Sequence, residues 1–388
     1  MTSTALSASP FNRVLFILYG VSALAGMAVG LYNPIIAVMM KAAGYSDTAI
    51  GGASSLFFLC VILTAPLAGF LTQRISMRMA LACGLVLAGT ASCLFAYAQT
   101  SAEWFGYRGL LGAGIGLYLI GGQSAVNTFA NDRNRTIVGG LHALCFGIGM
   151  GVGPILGTAL YEVTPALAMF VCAGILFLGA PVVLIGLPVE VASKPRALRL
   201  AQIKRISLAL HAVFAYGVAE AILMSLFPVF MLDRGYSMTT MSIAFSAFVV
   251  GGIISTVPLT KWADKAGQER VLAFCACVGV LGSLAMTLST HPYIAMAASA
   301  VTGACLGPVF ALALALLGRR LPKEDLAGGS AVFTAFFSLG SMVAPWLAAL
   351  IMAQLGSLHI FTLSTLLFAT LLVRLVVARP AVQQASGA

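Results

Sequence analysis

Twelve apolar runs, each close to the ~20 residues a helix needs to cross a hydrocarbon core of ~30 Å, constrain this chain more than any other feature. They fall at 13–40, 48–70, 79–99, 104–128, 137–160, 166–188, 206–231, 238–260, 270–290, 293–317, 327–353 and 357–378. With 60% hydrophobic and 8% charged residues and a mean hydropathy of +1.02, the composition excludes a water-soluble domain. A closed barrel would need short alternating segments, which are absent. The expectation is an all-α membrane protein with twelve transmembrane helices. The runs are rich in Gly, Ala and Ser, which allow close helix packing in lipid. The first run is far longer than the hydrophobic core of a signal peptide, about 7–15 residues, so it reads as a retained helix.

Charge orients the spans. With Arg13 placed inside, alternate loops collect Arg74 and Arg78; Arg133 and Arg135; Lys194, Arg196, Arg199, Lys204 and Arg205; Lys261, Lys265 and Arg270; Arg319, Arg320 and Lys323; and Arg374 and Arg379. Of the 21 basic residues, the opposite loops hold only Lys41 and Arg234, and Arg108 lies inside a span. Both termini are therefore expected in the cytoplasm. The net charge of +10 is mostly this bias and calls for no nucleic-acid partner, though contact with anionic lipid headgroups stays open. The eight cysteines all fall within spans without ligand-like spacing, so they read as packing residues, and no metal or other cofactor is expected.

The heptads "GYSDTAI" from Gly44 and "GYSMTTM" from Gly235 lie 191 positions apart, and the same offset aligns much else. It matches Ala53 with Ala244, Phe57 with Phe248, Gly112 with Gly303, Gly116 with Gly307, Gly149 with Gly340 and Pro154 with Pro345. The chain reads as a duplicated six-helix unit. It divides into an N-terminal half over 1–189, a basic cytoplasmic linker over 190–205 that could carry a short surface helix, and a C-terminal half over 206–388. The two repeats are parallel and face one another around a central cavity.

Three local patterns bring the chain to resemble the major facilitator superfamily, in particular its twelve-helix drug or metabolite:proton antiporters. The family's loop between the second and third helices reads roughly Gly-x-x-x-Asp-(Arg/Lys)-x-Gly-x-x-Arg. The second copy keeps Asp264, Lys265, Gly267 and Arg270, with Thr260 in place of the leading Gly. The first keeps Gly69, Arg74 and Arg78 but has Gln73 where the acid belongs. The resemblance implies a cytoplasmic charge latch centred on Asp264 and Arg270 and a weaker one in the first half; solvated topogenic charges are the alternative. In the fourth span, Arg108, Gly112 and Gly114 are similar to the family's Arg-x-x-x-Gly-x-Gly pattern. An arginine inside a span is costly in lipid unless it faces a cavity or a partner. Arg108 is therefore read as facing the translocation path and, with Glu220, as a proton-coupling or substrate residue; the alternative is that it snorkels to the nearby surface. In the fifth span, Gly140, Gly149, Gly153, Pro154 and Gly157 resemble the family's antiporter signature, a closely packed helix that can bend at Pro154. Generic small-residue packing would leave the same trace.

Ten of the eleven acids lie in loops or near helix ends, and only Glu220 is mid-span. Tyr216, Glu220, Leu223 and Phe227 recur at the spacing of one helix face. A carboxyl group here can exchange a proton near neutral pH unless a cation such as Arg108 holds it ionised. Glu220 is thus a candidate for binding proton, substrate or both, or else a structural acid. In the spans that line the path in this superfamily, Ser22, Gly26 and Asn33 of the first and Tyr118, Gln123 and Asn127 of the fourth are cavity candidates or interhelical contacts, and Asn33-Pro34 can mark a bend. His142 and His211, at inner helix ends, are open to a proton relay or a surface role.

No phosphate loop, His-Glu-x-x-His motif or nucleophile-base arrangement marks an enzyme. The expected protein is a monomeric proton-coupled exporter of a small organic molecule in a prokaryotic inner membrane, its partners being substrate, protons and lipid. The substrate would be a drug-like amphiphile or a secreted metabolite such as a siderophore. The alternative is a proton-coupled or facilitative importer of a polar nutrient.

Overall fold

The computed structural model describes residues 9–74, 76–130, 134–190, 200–322 and 325–377. Asp132, Arg133, Lys194, Arg196, Arg199, Lys323, Glu324 and Arg379 lie outside the described residues, as do the side chains of Gln73 and Arg135. Twelve helical segments among the described residues are long and apolar enough to span a membrane. In the first repeat these are α1 (Arg13–Ala42), α2 (Asp47–Arg74), α3 (Met77–Phe95), α4 (Ser101–Phe129), α5 (Arg135–Val163) and α6 (Pro165–Gly186). A short helix, α7 (Leu200–Arg205), ends the linker. The second repeat holds α8 (Ser207–Ser225), α9 (Phe227–Asp233), α10 (Met238–Ala266), α11 (Gln268–Leu288), α12 (Pro292–Arg320), α13 (Leu326–Leu355) and α14 (Thr362–Val377).

The described residues of 1–44 and 56–194 form one unit, and those of 45–55 and 195–388 form the other. In the first, α1 packs along α5 and α6, and α3 lies against α4 and α6. In the second, α8 packs along α13, α12 and α14, and α12 lies against α10 and α11.

The expected seventh span is broken in two. α8 and α9 meet at Leu226, which stays near helical dihedrals (φ −102°, ψ −29°), and Pro228 stands in the first turn of α9, where a missing N–H is tolerated. Pro34 and Pro154, by contrast, sit inside helices that run on without interruption.

The repeated heptad is a turn that restarts a helix. Gly44 and Gly235 adopt φ of 85° and 80°, a left-handed conformation that suits glycine. Two residues on, Ser46 Oγ accepts from the Ala49 N–H at 3.2 Å and Ser237 Oγ from the Thr240 N–H at 3.1 Å, capping α2 and α10 alike.

The duplication also extends to helix contacts. A Cβ on Gly149 would strike the backbone of Ala23 and Met27, and one on Gly340 would strike the Phe214 carbonyl and crowd the Val218 nitrogen, the same positions shifted by 191. Gly112 meets the Phe57 backbone as Gly303 meets that of Phe248. Backbones approaching this closely gain dispersion contacts where apolar burial gives no advantage over lipid.

Candidate functional site

The start of α4 is fixed by a capping box. Thr100 Oγ1 accepts from the Glu103 N–H at 3.3 Å, and Glu103 Oε2 accepts from the Gln99 and Thr100 N–H groups, both at 2.8 Å. Glu103 therefore serves the helix end. A little over one turn further on, Arg108 points inward and is only 2% exposed. Its Nη2 donates to Asn33 Oδ1 of α1 at 3.0 Å, and its guanidinium lies 5.1 Å from the Phe57 ring centroid and 6.0 Å from that of Tyr32. Snorkelling to the surface is thus not the geometry found. Asn33 is committed at both ends of its amide, since Nδ2 donates to the Val29 carbonyl at 3.1 Å. The Tyr32 hydroxyl beside it is buried and makes no hydrogen bond among the described residues.

Ser22 and Gly26 serve packing. Ser22 Oγ donates to the His142 carbonyl at 2.9 Å, and Gly26 lets the Phe146 backbone approach. Tyr118 is buried at the α3–α4 contact, its hydroxyl without a hydrogen bond among the described residues. Gln123 and Asn127 share an exposed face of α4. Gly149, Gly153 and Gly157 all face α1, within the same unit, whereas Gly140 is exposed and touches nothing nearby among the described residues.

The second unit holds Glu220 in a half-buried setting. Tyr216 Oη donates to Glu220 Oε1 at 3.2 Å, one helical turn apart. The Tyr216 ring stacks on Phe337 of α13 at 6.0 Å and meets Phe310 of α12 edge-on at 6.0 Å. Phe310 in turn meets Phe337 at 5.7 Å and Phe333 at 5.2 Å. The result is a carboxyl beside a three-helix aromatic cluster. Sequence reasoning missed Phe310, Phe333 and Phe337; only Phe337 left a trace, as the counterpart of Phe146 at the 191-residue offset. Phe227 does not join them. It lies beyond the break, fully buried against Phe230 at 6.5 Å and Phe361 at 6.2 Å.

The charged ends of α10, α11 and α12 meet differently from the expected latch. Asp264 pairs with Arg319 at 3.8 Å, and Glu269 with Arg320 at 3.1 Å. With 72% of the Asp264 side chain and 57% of the Arg319 side chain exposed, the first pair contributes at most about 1 kcal/mol. Gly267, at φ 92°, makes the turn from α10 into α11, and Lys265 and Arg270 are exposed beside it. In the first repeat, Arg78 Nη1 reaches the Leu184 and Leu187 carbonyls at the end of α6, both at 3.4 Å. Arg74 lies over the Phe70 ring at 5.6 Å, and Gly69 is part of the same last turns of α2.

The family model described as Major Facilitator Superfamily matches residues 18–211 and again 209–387. Among curated proteins, the chain is similar to the uncharacterized MFS-type transporter YfkF of Bacillus subtilis, at 25% identity over 94% of this chain and 95% of that protein. It is also similar to the uncharacterized MFS-type transporter YcaD of Escherichia fergusonii, at 23% identity over 89% and 90% of the two chains. Among solved structures it resembles a bacterial homolog of the human lysosomal transporter Spinster. The inward-facing unoccupied form gives a TM-score of 0.73 at 12% identity, covering 94% of each chain. The occupied form gives 0.69 at 13%, covering 96% of each.

Proposed function

The chain belongs to the Major Facilitator Superfamily, and we propose that it exports a small organic molecule in exchange for protons by alternating access. The observation that carries this reading is the setting of Glu220. Its carboxyl accepts from Tyr216 and lies beside the aromatic cluster of Phe310 and Phe337. Rings of this kind offer stacking surface to an amphiphile. A carboxyl beside them can hold a proton or attract a substrate, and one group serving both in turn makes their binding mutually exclusive, which is the requirement for exchange. Drug-like amphiphiles and secreted metabolites such as siderophores fit an aromatic site with one ionisable group.

In this reading both termini face the cytoplasm of a prokaryote, and a monomer carries out the cycle. Arg108 holds α1 to α4 through Asn33, keeping the first repeat rigid while substrate passes. The pairs Asp264–Arg319 and Glu269–Arg320 join α10 and α11 to α12; the exposed first pair is weak enough to open and re-form as these helices shift, while the second is part-buried and shorter.

The test begins with a thermal-shift screen of drugs and metabolites to supply a ligand. Glu220→Gln is then reconstituted in proteoliposomes. The expected result is a folded, monodisperse protein that has lost transport driven by a pH gradient. Unchanged pH-driven flux would remove Glu220 from the mechanism.

A further inference from the structure

At the N-terminal end of α8, His211 is engaged through both ring nitrogens. Arg374 Nη1 of α14 lies 3.1 Å from Nδ1, and Thr370 Oγ1 of α14 lies 3.4 Å from Nε2. A guanidinium only donates, so Nδ1 must be the acceptor and carry no hydrogen. The Thr370 hydroxyl already donates to the Leu367 carbonyl at 2.9 Å, which leaves its lone pairs to accept from Nε2–H. One species satisfies all these contacts: the neutral ring with its hydrogen on Nε2. Arg374 has a second anchor, since Nη2 donates to Ser207 Oγ at 3.1 Å.

We infer that His211 is a proton-binding site whose occupancy opens the contact between α8 and α14. A proton taken up on Nδ1 sets an N–H against the N–H of Arg374 and a second positive charge beside the first. The His211–Arg374 contact cannot survive, and Arg374 falls back on Ser207. By linkage, whatever separates α8 from α14 also makes the ring easier to protonate, so helix movement and proton uptake bias one another.

The surroundings leave Arg374 as the charge that governs this ring. α13 carries no titratable side chain, and Arg374 is the only one on α14. From α7 come Lys204 and Arg205, both exposed. α12 brings Arg319 and Arg320 at its end, where they pair with Asp264 and Glu269, and its Cys305 and Tyr293 lie further along. On α8 itself, Tyr216 and Glu220 lie more than one turn and more than two turns on, and Asp233 closes α9 beyond the opposite end. The site thus stands apart from Glu220 and does not depend on the function proposed for that residue.

The test uses the full chain in lipid nanodiscs with ¹⁵N-labelled histidine, the His211 signal being identified by its loss in His211→Gln. At about pH 8 the expected signal is that of Nε2–H with a bare Nδ1, and stepwise acidification should protonate both nitrogens. Hydrogen exchange along α14 is compared between wild type and His211→Gln at matched pH, which cancels the intrinsic pH dependence of exchange. Glutamine can accept from Arg374 and donate to Thr370 at any pH. Acidification should therefore speed exchange at the end of α14 in wild type about tenfold more than in the variant, the size expected for losing one hydrogen bond to a charged group. A hydrogen on Nδ1 at high pH, or equal exchange in the two proteins at low pH, would overturn the inference.

Discussion

Gly217 of α8 lies so close to Phe337 of α13 that a Cβ would strike the Phe337 carbonyl oxygen, and 191 residues earlier Gly26 of α1 stands in the same relation to Phe146 of α5. The duplicated chain has kept the same glycine on the same helix at the same contact. This contact also places the Tyr216–Phe337 ring stack, since Tyr216 precedes Gly217 on α8.

Gly217→Leu should therefore cost at least about 1–3 kcal/mol, because the neighbour is backbone and cannot turn aside. In detergent the variant should unfold at lower temperature and elute in aggregates. Gly140→Ala, at a helical glycine with nothing nearby among the described residues, should leave stability unchanged or raise it by up to about 1 kcal/mol. Equal stability of Gly217→Leu and wild type would show that α8 and α13 lie further apart.

Arg108 and Asn33 should be energetically coupled. Asn33→Ala removes the acceptor of a buried charge, and Arg108→Met removes the charge itself. A double-mutant cycle on thermal or denaturant stability should give a coupling of about 1.5–3 kcal/mol, the range for hydrogen bonds to charged groups. Additive effects would place the guanidinium elsewhere in the membrane protein.

Much of the fold was legible because a lipid solvent forces each span to satisfy its own backbone, which writes length and apolarity directly into the sequence. The glycine contacts were legible in a different way, through an offset that recurs at Gly112, Gly116 and Gly149. The candidate site was only partly so. Glu220 stands out by rarity, but Phe310 and Phe337 reach Tyr216 from two other helices, and no periodicity along α8 reports them. Phe227 shares the α8 face by spacing alone; it opens α9, past the junction at Leu226, and its partners are Phe230 and Phe361, which that spacing does not report. The loop pattern around Asp264 names local neighbours, whereas its ion pair comes from Arg319 at the far end of α12.

The topology has its own check. Reporter fusions at Ala192, in the linker, and at Gly387, near the C-terminus, should both score as cytoplasmic, because Lys41 and Arg234 alone oppose the basic bias. An external score at either position would reverse the orientation or change the number of spans crossed before it.

The direction of transport rests on the sign of one flux. In everted vesicles the cytoplasmic face looks outward, and an established inside-acid gradient mimics the energised membrane. If proton and substrate take turns at Glu220, substrate added outside enters the lumen as protons leave it, so the luminal pH rises when substrate is supplied. Glu220→Gln should abolish that rise, since the variant offers no carboxyl to protonate on the return. A symporter couples the two movements in the same direction, and an imposed inward substrate gradient would then carry protons into the lumen and lower its pH. Net charge movement complicates a voltage reading, whereas a luminal pH dye with the membrane potential collapsed reports the proton alone. A fall in luminal pH on adding substrate would replace the export reading with proton-coupled import.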